Sequence, residues 1–257
     1  MRKGKKTPDR MTFLEHLEDL RKRIFLSFIV IVLAVIPAWF FSKEIFEILA
    51  VPVTQFLPEG EMLAFTSLTE PFMLYIKVSF LTAIFATSPF IFLQFWLFTA
   101  PGLYQKEKKY VIPFVFLTTF FFILGGLFGY LVVFPWACRF FIGMGADFRP
   151  VITVKQYFSL ALRVLLGIAL VFELPTLVFF LSRMGLITSR WMIKNFKYAV
   201  LAIFIIAAII TPPPDMITQS IIAGPMLALY GLSILIAFFS EKRRKRERKK
   251  AEEDLAG

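Results

Sequence analysis

The sequence predicts an all-α integral membrane protein with six transmembrane helices and both termini in the cytoplasm. Three observations carry that expectation. Of 257 residues, 58% are hydrophobic and 33 are Phe, against roughly 45–50% apolar residues in a soluble domain; mean hydropathy is +0.73. The apolar residues gather into six runs, most of them near the roughly 20 residues that cross a hydrocarbon core. The basic residues are partitioned between the loops. Eight precede Ile24, three lie in 106–109, four in 183–197 and eight follow Glu241, which makes 23 of the 29. The other six are Lys43, Lys77, Arg139, Arg149, Lys155 and Arg163. Under the positive-inside rule the four richer segments are cytoplasmic.

Three parts follow in order: a cytoplasmic amphipathic segment over 1–23, a six-helix transmembrane domain over 24–240 and a charged tail over 241–257 that reads as disordered. In the first, Thr12 and Glu15 have the spacing of a capping box, each side chain placed to satisfy an amide the first turn leaves open. Phe13, Leu14, Leu17, Leu20 and Ile24 form an apolar stripe. Glu15, Glu18, Asp19 and Lys22 lie opposite.

No charge follows Arg23 until Lys43, so the first span is placed at 24–41, with a kink expected at Pro37. That run is too long for a signal-peptide core and no Ala-x-Ala site follows, so it reads as a retained span. Ile45, Phe46, Ile48 and Leu49 suggest a short interfacial helix within the next polar segment. The second span is placed at 72–98 and closes at Pro101-Gly102. The third, at 110–137, is long enough to tilt or protrude. The fourth, at 157–181, carries Arg163 and Glu173, with a bend expected at Pro175. The fifth, at 198–210, is short, and Thr211-Pro212-Pro213-Pro214-Asp215 connects it tightly to the sixth at 216–239. Trp39 and Trp136 fall at outer ends, Trp96 and Trp191 at inner ends, as interfacial anchors.

Chemistry is narrowed as much by what is missing. One Cys, Cys138, rules out an internal disulfide framework, and one His, His16, makes a His-built metal site improbable. No Walker A loop, His-Glu-x-x-His or Gly-x-Ser-x-Gly occurs. The net charge of +11 sits in short segments between apolar runs, the pattern of membrane loops and not of a nucleic-acid surface. No cofactor, catalytic residue, metal or nucleic-acid partner is expected. The basic tail suits membrane lipid headgroups.

His16-Leu17-Glu18-Asp19-Leu20-Arg21-Lys22-Arg23, placed just before the first span, resembles the opening pattern of the TatC family, the multi-pass receptor subunit of the twin-arginine (Tat) protein translocase. That family usually reads His-Leu-x-Glu-Leu-Arg, so Asp19 stands where a Glu is expected. Gln94-Phe95-Trp96-Leu97-Phe98 with Ala100-Pro101-Gly102-Leu103-Tyr104-Gln105-Lys106-Glu107 resembles its first cytoplasmic loop. Val133-Phe134-Pro135, Phe172-Glu173-Leu174-Pro175 and Thr211 through Gln219 resemble further motifs, the last with one proline more than usual.

The resemblance implies a protein of the prokaryotic cytoplasmic (inner) membrane that binds twin-arginine signal peptides of folded proteins at the cytoplasmic face. It also implies assembly with TatA- and TatB-type single-span subunits in a multi-subunit complex, with export drawing on the proton-motive force. Position by position, the signal-peptide site it implies is Asp19, Arg21, Phe98 and Glu107, with Glu18 the alternative acid. Glu173, Thr211 and Gln219 are implied to face partner helices. The chemistry fits, because a guanidinium is a planar fork of donors that a carboxylate can bind at two points.

Plainer readings stand beside these. Asp19 and Arg23, and Glu18 and Lys22, have the spacing of ordinary helix-surface ion pairs. His16 suits packing at the interface, Cys138 suits an apolar filler, and Lys77 and Arg163 can snorkel to the outer boundary. Glu173, an ionisable residue inside a span, also admits a secondary transporter of a small solute. Few mid-membrane polar residues and no evident inverted repeat argue against it.

Overall fold

The computed structural model describes residues 13–57, 62–99, 111–145, 147–148, 151–211 and 216–256. Ten α-helices are described: α1 (Phe13–Phe40), α2 (Ser42–Thr54), α3 (Glu70–Thr99), α4 (Val111–Phe128), α5 (Phe134–Met144), α6 (Val154–Val171), α7 (Leu174–Met184), α8 (Ser189–Lys194), α9 (Phe196–Ile210) and α10 (Met216–Ala256). Among the described residues the only extended pairing is one parallel bridge between Ala64 and Thr153. It is tied by the Ala64 amide to the Ile152 carbonyl at 3.0 Å and the Val154 amide to the Ala64 carbonyl at 2.8 Å.

Five stretches are long and apolar enough to cross a membrane: Leu14–Phe40, Glu70–Thr99, Ile112–Met144, Val154–Met184 and Met216–Arg243, with the shorter Phe196–Ile210 as a sixth apolar helix. The all-helical, six-span expectation holds. Within it, several details differ from the sequence expectation, and most trace to proline or to helix propensity.

The amphipathic segment is not separate from the first span. α1 runs unbroken from Phe13 to Phe40, because no Gly or Pro interrupts it before Pro37 and the flanking Leu, Arg, Lys and Glu are good helix formers. Thr12, the expected cap, lies outside the described residues. Nor is the tail irregular: α10 continues to Ala256, since its Glu, Lys, Arg and Ala residues carry high helix propensity.

The third and fourth spans are each divided. Pro135 lacks the amide that would bond the carbonyl four residues back, and the chain responds with a π turn over Gly129–Val133, where the Phe134 amide reaches the Gly129 carbonyl. Such wide turns absorb an irregular backbone without leaving the helix. Pro175 has the same defect and stands in the first turn of α7, a position where no intrahelical partner is lost. α6 therefore stops at Val171, and Phe172 and Glu173 form the joint between two helices.

The described chain divides into two compact units. The first comprises Met1–Ser42 and Ile76–Thr119, the second Lys43–Tyr75 and Phe120–Gly257. In the first, Trp96 packs its ring 3.8 Å from that of Phe114 and is only 3% exposed. The expectation that Trp96 is an interfacial anchor is thereby corrected: α3 is apolar all round, so its pattern does not reveal which face is covered. Trp39, Trp136 and Trp191 remain exposed.

In the second unit the core gathers Val133, Phe134, Tyr157, Val164, Ile168 and Met226, with Cys138 among them as a free, buried thiol. α2 is fastened to this core by two tyrosines. Pro52 cannot bond the Ile48 carbonyl within α2, and that carbonyl accepts the Tyr130 hydroxyl at 2.7 Å. Tyr157 donates to the neighbouring carbonyl of Leu49. Two glycines set the closest crossings. A Cβ on Gly125 would lie 2.7 Å from Phe172 Cβ and 2.8 Å from Ala169 Cα, and one on Gly167 would lie 2.7 Å from Ile210 Cδ1.

Candidate functional site

His16, Asp19 and Arg23 recur at three- and four-residue steps and so share one face of α1. The C-terminal end of α3 offers Gln94 and Phe98, four residues apart and likewise on one face. In the first unit these faces meet. The His16 and Phe98 rings stack with centroids 4.3 Å apart and planes 19° from parallel. The Asp19 carboxylate accepts from Arg23 Nε at 2.7 Å, and Arg23 Nη1 donates to Gln94 Oε1 at 3.4 Å. Asp19 and Arg23 are 20% and 23% exposed, while Gln94 is buried. The result is a half-exposed shelf: an aromatic stack at one end, a carboxylate at the centre, and an amide that steadies the guanidinium already on it.

Of the residues expected to recognise a signal peptide, the structure brings Asp19 and Phe98 to this shelf. Arg21 is exposed and lies two residues from Asp19, about 200° around an ideal helix. Glu18 is exposed about 100° from Asp19. Glu107 lies outside the described residues. Arg23 and Gln94 were not foreseen as members of the shelf. The four-residue spacing of Asp19 and Arg23 was a local signal for the pair, whereas the Gln94 contact joins residues 71 apart in sequence.

Glu173, Thr211 and Gln219 lie in the second unit. Glu173 sits at the α6–α7 joint, part-buried, and its Oε1 is buried without a hydrogen-bond partner among the described residues. Thr176, one turn on, has its hydroxyl in the same condition. Thr211 is fully buried and donates to the Ala207 carbonyl at 2.7 Å. Gln219 Nε2 donates to the Phe204 carbonyl at 2.6 Å, tying α10 to α9. Glu173 thus keeps free acceptor capacity, while the hydroxyl of Thr211 and the amide of Gln219 are spent within the fold. Among the described residues no cluster of His, Cys, Asp or Glu could hold a metal ion.

Five helical stretches long and apolar enough to cross a membrane, with a sixth shorter apolar helix, define a multi-pass membrane protein. The family model of the Sec-independent protein translocase protein (TatC) matches residues 15–225. The chain is 43% identical over 250 residues to the Sec-independent protein translocase protein TatC of Koribacter versatilis, covering 96% of this chain and 92% of that one. It is 43% identical over 223 residues to the protein of the same description from Helicobacter pylori strain J99, covering 86% and 87%. A crystal structure of the twin arginine translocase receptor TatC superposes with a TM-score of 0.78 at 37% identity, covering 88% of this chain and 99% of that one. This chain belongs to the TatC family. It is a core subunit of a Sec-independent protein translocase, hence a multi-pass membrane component of a multi-subunit complex with a transport role. The small-solute transporter alternative is set aside by that membership.

Proposed function

We propose that the α1–α3 shelf is the receptor for twin-arginine signal peptides of folded export substrates, at the cytoplasmic face of the prokaryotic cytoplasmic membrane. The supporting observation is the Asp19–Arg23 pair. A carboxylate here already holds a guanidinium at 2.7 Å, so the position accommodates the group a twin-arginine peptide would bring. The internal arginine uses Oδ2 through its Nε. An incoming arginine takes Asp19 in its place or alongside it, and the second arginine of the motif goes to Glu107. Phe98, braced by His16, supplies an apolar face for the residues next to the motif. Arg21 helps to set the local field, and Glu18 is the alternative acid.

We infer further that Glu173 contacts the transmembrane helix of a TatA- or TatB-type single-span partner. Its Oε1 is buried without a hydrogen-bond partner among the described residues, and a polar group in that state is costly unless something satisfies it. Thr211 and Gln219, whose side-chain donors are used within the fold, belong to the same partner-facing surface. Assembly on this subunit then supports export driven by the proton-motive force, with both termini cytoplasmic.

Crosslinking tests the receptor assignment. A photoreactive residue at Leu97, beside Phe98, is expected to capture a twin-arginine peptide, and Asp19→Asn with Glu107→Gln is expected to abolish the product. Undiminished capture by the double variant would contradict it.

A further inference from the structure

α6 begins under the Thr153 hydroxyl, which accepts the Gln156 amide at 3.3 Å. Lys155, Ser159 and Arg163 follow at four-residue steps and share one face of the helix. All three line a cavity of about 770 Å³ in the second unit, which neither site above uses. Part of its wall is apolar, with Val53, Phe141, Ile142 and Leu160. Arg163 is exposed and, among the described residues, enters no hydrogen bond or ion pair. It stands nine residues after Val154, about 13.5 Å along an ideal helix, within the stretch Val154–Met184 that is long and apolar enough to cross a membrane.

One carboxylate lines the same cavity, and it is occupied. Glu70 accepts the Thr66 amide at 3.0 Å and the Thr66 hydroxyl at 2.6 Å, and Lys155 lies within electrostatic reach of it. Among the described residues the lining charges are therefore Lys155 and Arg163 against Glu70, a surplus of one positive charge. A cation inside a span faces a cavity, a partner or water because the hydrocarbon alternative is costly. Here the cavity is far larger than a phosphate ion needs. Beyond Arg163 the same face of α6 reaches Leu170, seven residues on and 62% exposed. An anion that seats on Arg163 thus meets apolar surface on the membrane side, which suits a headgroup carrying an acyl chain and not a free ion.

We propose that this cavity binds the phosphate headgroup of an anionic glycerophospholipid, with Arg163 and Lys155 on the phosphate and an acyl chain along the apolar wall toward Leu170. The full-length protein, purified in detergent, is titrated with phosphatidylglycerol, with phosphatidylcholine of the same chains, and with inorganic phosphate. Bound lipid is read by native mass spectrometry and thermal midpoint in parallel. The wild type is expected to retain phosphatidylglycerol in preference to phosphatidylcholine and to be stabilised by it. Arg163→Gln is expected to weaken that binding by roughly tenfold or more, the scale of a lost charged hydrogen bond. Arg163→Lys, which keeps the charge, is expected to retain most of it, and Glu70→Gln to retain all of it. Equal retention of both lipids, equal stabilisation by inorganic phosphate, or unchanged phosphatidylglycerol binding by Arg163→Gln would each overturn the proposal.

Discussion

At the scale of single residues, the shelf is a competition. Asp19 accepts from Arg23 at 2.7 Å, and a peptide guanidinium must displace or share that contact. Ion pairs one turn apart on a half-exposed helix are worth about 0.3–1 kcal/mol. Arg23→Gln is therefore expected to tighten binding of a twin-arginine peptide by roughly two- to fivefold, read by titration with a fluorescent peptide. The same substitution leaves Gln94 without its charged donor, so weaker binding instead would mean that Arg23 holds the carboxylate in position. This much was half legible beforehand. The Asp19–Arg23 step is local and follows from helix periodicity alone. That Gln94 completes it, and that Phe98 stacks on His16, depends on how two helices meet, and local periodicity does not encode that. Trp96 shows the same limit: nothing in an evenly apolar stretch marks the buried side.

At the scale of elements, proline and glycine govern the second unit. Pro175 announced an interruption of the fourth span, found as the joint that carries Glu173, whereas the π turn before Pro135 interrupts a third span that the sequence reading runs straight through. Which form each would take was not legible, since it depends on what the neighbouring helices pack against. Gly125 marks a crossing where α4 meets the α6–α7 joint. Gly125→Ala is expected to lower stability by about 1–3 kcal/mol, the range of overpacked sites, because the new methyl would meet the Ala169 backbone at 2.8 Å. Gly143→Ala, with nothing within 4 Å of the added carbon, is the control and should be neutral or slightly stabilising. Thermal midpoints of the two variants in one detergent decide it. At the joint, Glu173→Ala is expected to leave insertion and peptide binding intact while reducing partner crosslinking and export. Glu173→Gln, still able to hydrogen-bond, should be milder. Wild-type export by the alanine variant, with unchanged crosslinks, would make the residue structural.

At the scale of the whole molecule, hydropathy and loop charge were enough to predict the class, because a bilayer imposes length and sidedness on every span. Low hydrophobicity over 241–257 points to disorder, whereas the helix propensity of Lys, Arg, Glu and Ala carries α10 on to Ala256. Orientation is tested in a chain whose Cys138 is replaced by Ala. An impermeant thiol reagent added outside is expected to label Lys43→Cys and to spare Lys106→Cys, and the reverse pattern would invert the topology. The most direct test of the receptor assignment is a double-mutant cycle between Asp19→Asn and replacement of the peptide arginines by lysines, measured by peptide binding. A planar donor fork on a carboxylate predicts a coupling of about 1.5–3 kcal/mol, with Glu18→Gln showing none. Additive losses at Asp19, or coupling that appears at Glu18 instead, would contradict the assignment of Asp19 as the arginine-binding acid.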